Sequence, residues 1–374
     1  MRDYARYRVL LTAKQLLTAG LRSALRVGVM RRPSPRPETV TGSVVLLDRC
    51  LGLGDALMIS PALRLLEPLG PVTVVTALPP LLDRPGEWLR CDSWGEMTTA
   101  ADRLAAAGRL LLVPRLGVRG LLTLLSWRGG VPAGIVWLDP RTWLDTSTGR
   151  HCAIVGRHYT DGALACAGAL LGQAGHSLPE VLPGRIPPRR GDLPAGLELP
   201  KRPMVALAPW ATSRIRRWPL DHWSALIRRL AAARPELGFV LLGSADERRF
   251  GAEIAAGTGE IPVLNLMGRL PLAGTTTLIA GSALLVACDN GLMHLGLGTG
   301  TPLVAVFGST DPAARLCGTA WRLACDPSLC PHGLAPCYPD LHRDPSCPTA
   351  IECLAGLAPE RVAGLALELL ETSL

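Results

Sequence analysis

Aromatic side chains are scarce in this 374-residue chain, 4% of the total with three Phe and four Tyr, so a core has to be assembled from Leu, Val, Ala and Ile. No apolar run approaches the ~20 residues that a spanning helix requires. The longest are of strand length, such as Val44-Val45-Leu46-Leu47, which argues against a transmembrane segment. Charge is sparse too, 19% against 48% hydrophobic residues, a globular rather than a disordered balance. Acids are nearly missing from the start of the chain. Between Met1 and Glu38 stand nine bases (Arg2, Arg6, Arg8, Lys14, Arg22, Arg26, Arg31, Arg32 and Arg36) and two acids, Asp3 and Glu38. This arm therefore holds +7 of the net +8, and the rest is close to neutral. A nucleic-acid-binding body would need a basic folded face, so nucleic acid is not an expected partner.

A basic arm fits an anionic membrane surface. Leu10, Ala13, Leu17, Leu21 and Ala24 recur at helical spacing, with Arg8, Arg22 and Arg26 elsewhere on the wheel and Lys14 close to the apolar stripe. Two readings stay open, a helix that contacts a membrane through residues 1–38 and a helix packed on its own protein. One clean apolar block followed by a small-residue cleavage site is missing, which argues against a signal peptide. The eleven cysteines, an odd number, are expected as reduced thiols. The expected location is cytoplasmic, peripheral on the inner face of the cytoplasmic membrane.

The length suits two domains. The divisions expected are a basic helical arm over 1–40, an N-terminal domain over 41–190, a C-terminal domain over 200–358 and a last helix over 359–374. The boundary falls in the Pro-, Gly- and Arg-rich stretch from His176 to Pro203. In the first domain Ser43 to Asp48 reads as a buried strand, Leu51 to Asp55 as a tight loop, Ala56 to Leu66 as a helix and Val72 to Thr76 as a strand. Arg109 to Val113 and Gly134 to Leu138 are further strand candidates. In the second, strands are expected at Met204–Leu207, Phe239–Leu242, Ala283–Ala287 and Leu303–Phe307. Helices are expected at Leu220–Ala233, Asp246–Ala256, Leu272–Ala280, from Leu292, and at Pro359–Leu370. Strands alternating with helices imply parallel β-α-β units. Ligands of such sheets sit at the carboxyl ends of the strands, so the active site is expected in a cleft between two α/β halves.

Four segments carry candidate chemistry. Asp289-Asn290-Gly291-Leu292-Met293-His294 follows a strand and opens a helix, which aims free amides and a helix dipole at one point, a natural place for a diphosphate. Gly291 lets the backbone approach phosphates closely, and His294 lies about one turn in. A capped helix with a buried His explains the same pattern. The next strand ends in the polar loop Phe307-Gly308-Ser309-Thr310-Asp311-Pro312. Trp210 to Pro219 contains Thr212, Ser213, Arg214, Arg216 and Arg217, hydroxyls and guanidinium groups at a strand's carboxyl end, which suit a phosphate trap or a solvated basic loop. Asp55, after the first strand, stands at the start of a helix, where it caps the helix or serves as a general base.

The run from Asp289 to Pro312 resembles the donor-binding signature of glycosyltransferase family nine, the bacterial heptosyltransferases: Asp-Thr/Ser-Gly-x-x-His, small residues, Pro, a Val-Ala strand, then Phe-Gly-x-Thr-Asp-Pro. Asn290 replaces the family's Thr or Ser. The resemblance extends from about Ser43 onward. It implies the GT-B fold of two Rossmann-like domains, and inverting transfer of a heptose from an ADP-sugar to a lipopolysaccharide-core or other glycan acceptor, without a required cofactor. Gly54-Asp55-Ala56-Leu57-Met58-Ile59-Ser60-Pro61 resembles the family's Gly-Asp-x-x-x-x-x-Pro motif, which makes Asp55 the general base. Arg216 takes the Lys position of a Lys-x-Trp-Pro segment and would stabilise the leaving diphosphate, with Thr212, Ser213 and Arg214 on the donor phosphates. Leu242 to Glu247 resembles the segment that supplies an acid to the donor ribose, Glu247 by choice with Asp246 as the other candidate. Met267-Gly268-Arg269 resembles the segment beside the base.

Five cysteines fall between Cys325 and Cys353, with His332 and His342 among them. Cys330, Cys337, Cys347 and Cys353 could hold a structural zinc or iron, or be free thiols or a disulfide, since their spacings are not tight Cys-x-x-Cys pairs. Two other functions share the pattern. A nucleotide-sugar epimerase of the same fold would need no separate acceptor. A non-catalytic sugar-nucleotide-binding protein would not need Asp55.

Overall fold

The computed structural model describes residues 43–46, 52–83, 87–93, 110–113, 134–139, 142–145, 151–153, 159–173, 175–182, 184–200, 203–330 and 351–373, with scattered single positions elsewhere. The arm expected over 1–40 lies largely outside the described residues. The described chain divides into two compact units, one running to Ile186 and the other from Pro187. Among the described residues no helix is long and apolar enough to cross a membrane.

The first unit is built on β1 (Ser43–Leu46), β2 (Val72–Thr76), β3 (Trp88–Arg90), β4 (Leu110–Val113), β5 (Gly134–Asp139), β6 (Thr142–Asp145) and β7 (His151–Ala153), in the order β3-β2-β1-β4-β5-β6-β7. The first five are parallel. The last two, which were not among the expected strands, turn antiparallel. The chain length decides this: β6 begins three residues after β5 ends, and only an antiparallel neighbour can be reached without a crossover of a dozen or more residues. The helix expected over Ala56–Leu66 is two, α1 (Leu53–Met58) and α2 (Ser60–Leu65). Pro61 has no N–H for the carbonyl four residues back and its ring would clash there, so the helix restarts with Pro61 in its first turn. Helix α3 (Tyr159–Gln173) packs against α2 and buries Ala163, Cys166, Ala167, Leu170 and Leu171. It has small and apolar residues around most of its circumference, so no 3.6-residue stripe announces it.

The second unit comprises β8 (Met204–Ala208), α4 (Leu220–Ala233), β9 (Gly238–Leu241), α5 (Arg248–Ala256), β10 (Val263–Asn265), α6 (Leu272–Ala280), β11 (Leu284–Cys288), α7 (Gly291–Thr299), β12 (Leu303–Val306), β13 (Trp321–Ala324), α8 (Glu352–Ala355) and α9 (Pro359–Ser373). Its six strands are all parallel, in the order β10-β9-β8-β11-β12-β13. Strands β8, β9, β11 and β12 are buried along their whole length, as a sheet covered on both faces requires. Helix α4 turns Trp223, Leu226, Ile227 and Leu230 inward, and α9 turns Val362, Ala363, Ala366, Leu369 and Leu370. Both stripes join one core with the sheet. A fully buried Leu or Ile contributes about 1.5–3 kcal/mol.

Candidate functional site

In the second unit the strand order reverses between β8 and β11, the first and fourth strands of the series. Ligands of doubly wound sheets bind outside the carboxyl ends of the strands at this switch point. The register fixes what emerges there. Ala287 pairs with Ala208 and Cys288 with Val306, so the residues after β8, β11 and β12 leave the sheet side by side.

The loop after β8 is organised by Arg217. Its guanidinium lies 3.8 Å over the Trp210 ring. Its Nε donates to the Ala211 carbonyl (2.6 Å) and its second terminal nitrogen to the Thr212 carbonyl (2.9 Å). Trp210 in turn stacks on Phe250 with ring centroids 3.5 Å apart. Burial lowers the Arg217 pKa first, while Glu247 pulls it up and Arg214 and Arg216 push it further down. Arg217 is thus the loop's brace. Arg216 reaches across instead: a terminal nitrogen donates to the Asp289 carbonyl (3.0 Å) and lies 3.4 Å from the Asp289 carboxylate. Asp289 is almost fully buried, and Arg216 stays about one-fifth exposed. Thr212 and Arg214 are exposed; Ser213 is buried, and its hydroxyl has no hydrogen-bond partner among the described residues.

Asn290 is the N-cap of α7. Its carbonyl oxygen accepts from the Met293 amide (3.0 Å), and its amide nitrogen donates to the carbonyls of Ala208 (2.9 Å) and Trp210 (2.8 Å). The side chain therefore ties the exits of β8 and β11 together. Gly291 and Leu292 are half-buried at the start of the helix, where the first amides lack intrahelical partners. His294 is buried. Helix α7 lies close on its strand, because a Cβ on Gly296 would stand 2.6 Å from Leu285 Cδ2.

The sheet's other side holds the residues assigned to ribose and base. Glu247 closes a capping box in which its carboxylate accepts from the Ser244 amide (2.9 Å). Met267 is fully buried, and its side chain covers Gly243 and Gly251. Asn265, which the motifs did not single out, orients this corner by accepting from the Met267 amide (3.1 Å) and donating to the Arg248 carbonyl (3.0 Å). Phe250 was also missed, for a lone Phe in an amphipathic helix gives no sign of what stacks on it.

In the first unit Asp55 is half-buried in the first turn of α1, and its carboxylate accepts from the Gly52 amide (3.3 Å). The segment is fastened behind it by Thr160, whose hydroxyl donates to the Met58 carbonyl (2.9 Å), and by Ser60, which accepts from the Ile186 amide (3.2 Å). The structure brings together Ser213, Arg216, Asp289, Asn290 and Gly291 in the second unit; Asp55 stands on the first.

Cys353 packs on the loop after β12, so that a Cβ on Gly308 would be 3.1 Å from its sulfur. Its thiol is pushed up to about 12, by burial first and then by Cys347, Cys330 and Cys337. Among the described residues no three His, Cys, Asp or Glu side chains are placed to hold a metal ion.

Residues 189–317 match the sequence profile of Glycosyltransferase family 9 (heptosyltransferase). Lipopolysaccharide heptosyltransferase 2 of Escherichia coli K12 is 34% identical over 116 residues, which are 30% of this chain and 33% of that protein, so the match spans about a third of the relative's length. Among solved structures, the E. coli ADP-heptose lipopolysaccharide heptosyltransferase II superposes with a TM-score of 0.59 at 20% identity, over 89% of this chain and 99% of that one. The iron-containing dodecameric glycosyltransferase TibC of enterotoxigenic E. coli H10407 gives 0.55 at 16% identity, over 89% and 77%. The fold is accordingly the two-domain GT-B fold, and within it residues 189–317 are similar to glycosyltransferase family 9 (heptosyltransferase).

Proposed function

We propose that the protein is an inverting glycosyltransferase that moves a heptose from ADP-heptose to a lipopolysaccharide-core or related glycan acceptor. The observation that supports this most is the grouping at one switch point of the Arg216 guanidinium, the buried Ser213 hydroxyl and the amino end of α7. Together they offer a fixed cation, a hydroxyl and helix-terminal amides to a diphosphate. Asp289, by holding Arg216, sets where the positive charge stands.

In this reading the acceptor hydroxyl attacks the anomeric carbon as the bond from that carbon to the diphosphate oxygen breaks. The configuration inverts, the hydroxyl proton passes to the Asp55 carboxylate, and the electron pair leaves on ADP. Charge grows on the diphosphate as it departs, and preorganised donors at that point lower the barrier. Thr212 and Arg214 contribute to the phosphates, and Glu247 and Met267 to the ribose and base. The chemistry requires no metal ion. A zinc or iron ion on Cys330, Cys337, Cys347 and Cys353, comparable to the iron that TibC contains, would serve the scaffold only. The proposed setting is the cytoplasmic face of the inner membrane, reached through the basic arm.

The test pairs two measurements on the full chain. Replacing Asp55 by Ala is expected to lower transfer from ADP-heptose by about 10²–10⁴-fold, as loss of a general base does, while ADP affinity stays within about twofold. Turnover that survives the change removes Asp55 from its role. Failure of the wild-type protein to bind any nucleoside diphosphate removes the donor site.

A further inference from the structure

Of the chain's three phenylalanines, Phe239 and Phe307 are buried, and Phe250 alone is half-buried. Trp210 is half-buried too, and neither ring joins the core that the sheet shares with α4 and α9. The two rings nevertheless stack, 3.5 Å apart at an interplanar angle of 15°. Each also carries a cation: the Arg217 guanidinium stands 3.8 Å over Trp210, and that of Arg249 stands 4.6 Å over Phe250. The face of an aromatic ring is the negative part of its quadrupole, so both cations favour the arrangement. Contacts thus run from Arg249 through Phe250 and Trp210 to Arg217, and join the first turn of α5 to the loop after β8.

The α5 end is fixed. Asn265 donates from its side-chain amide to the Arg248 carbonyl (3.0 Å), and a Cβ on Gly251 would stand 2.6 Å from that same nitrogen. The turn that carries Phe250 therefore has no room to move towards Asn265. The loop end is where the chemistry stands. The Trp210 carbonyl accepts from Asn290 (2.8 Å), and Arg217 donates to the carbonyls of Ala211 and Thr212. The stretch that carries Thr212 and Ser213 is thus held through Trp210 and Arg217. Holding a loop in one shape costs conformational entropy, and an aromatic side chain with two rotatable bonds loses little of its own when it supplies the contact.

We propose that Phe250 is a positioning residue: by stacking on Trp210 it keeps the loop after β8 in the conformation that presents Thr212, Ser213 and Arg216. In this role Phe250 acts through Trp210 and touches no part of the nucleotide. The proposal rests on the nucleotide-sugar reading given above, and its test separates the two. Calorimetric titration of the full-length protein with ADP and with inorganic pyrophosphate is carried out on wild type, Phe250→Leu, Phe250→Tyr, Trp210→Leu and the double variant Phe250→Leu with Trp210→Leu.

Apparent affinity falls with the fraction of protein whose loop is competent. Loss of the stacked pair in Phe250→Leu is expected to weaken both ligands about threefold to tenfold. Phe250→Tyr, which keeps the ring, is expected to stay within about twofold of wild type. A mere filler of apolar space would be replaced as well by Leu as by Tyr. The double variant is expected to bind no more weakly than Trp210→Leu, since two residues acting in series are not additive. Melting curves identify a Phe250→Leu protein that fails to fold. Arg217→Lys, which keeps the charge but loses the planar stack and the fork of donors, is then expected to show the same loss. Wild-type affinity in Phe250→Leu overturns the proposal and leaves the donor site standing. An equal loss in Phe250→Tyr overturns it as well, and so does a double variant whose loss is the product of the single ones. A loss for ADP that pyrophosphate does not share also overturns it, since the ring then meets the base. A wild-type protein that binds neither ADP nor pyrophosphate overturns the donor site itself, and this proposal with it.

Discussion

Asn290 has both amide protons and one carbonyl lone pair committed inside the protein. A Thr at this position, the residue common in the family pattern, brings one hydroxyl. It can cap the Met293 amide but can give only one proton to the two carbonyls of Ala208 and Trp210. Leaving a buried carbonyl without its donor costs about 1–3 kcal/mol, and for a unit of this size each kcal/mol is worth about 2–4 °C. Asn290→Thr is therefore expected to lower the melting temperature by several degrees and to weaken ADP binding, because the exits of β8 and β11 lose their tie. Differential scanning calorimetry with an ADP titration checks both. A gain in ADP affinity at unchanged stability would show instead that this residue acts on the ligand.

The same residue marks how far the site was legible in the sequence. The anion-binding turn at 289–291 could be read from local order alone, strand then turn then helix, since helix termini announce themselves in sequence. The partners could not. Arg216 finds Asp289 across 73 positions, and Asn290 finds Ala208 across 82. These pairs exist only once β8 and β11 lie side by side. Three arginines in one loop all suggested phosphate ligands, yet Arg217 is spent on Trp210 and the loop's own carbonyls. Chemical type does not reveal which of several like charges the backbone will consume.

Among the elements, the second unit was easier to read than the first for a physical reason. Its long helices each face one core with a single stripe, and the four central strands are uninterrupted apolar runs, so the period changes from strand to helix at each boundary. The short edge strands β10 and β13 bury too little to leave such a mark. In the first unit the apolar α3 hides its period, and β6 and β7 follow from connection length rather than from pattern.

Helix α9 shows how such a stripe works. Leu370 is fully buried against the core that α4 and the sheet share, one position before the exposed Glu371. Leu370→Ala removes three buried carbon atoms and leaves a cavity, at a cost of about 2–5 kcal/mol. Glu371→Ala is expected to stay within about 0.5 kcal/mol. Urea denaturation of both variants checks the contrast. Equal effects would mean that α9 is not held by its apolar face.

For the whole molecule, the partition of charge is the property no single site explains. Nine bases against two acids lie before residue 39, and the other 336 residues carry +1. A basic residue near an anionic bilayer gains about 1 kcal/mol, and the gain is confined to about 8 Å at physiological salt. Charge collected in an arm can act at that range; the same charge spread over a near-neutral body could not. The full chain is therefore expected to co-sediment with phosphatidylglycerol-containing vesicles at low salt, to be released at high salt, and to ignore pure phosphatidylcholine. A chain starting at residue 39 is expected to stay in the supernatant with its ADP affinity unchanged, because the proposed donor groups lie from Thr212 onward. Vesicle binding that survives the deletion would transfer the membrane contact to the body. Loss of ADP binding on deletion would instead make the arm part of the fold, which is the other reading its imperfect helical stripe permits.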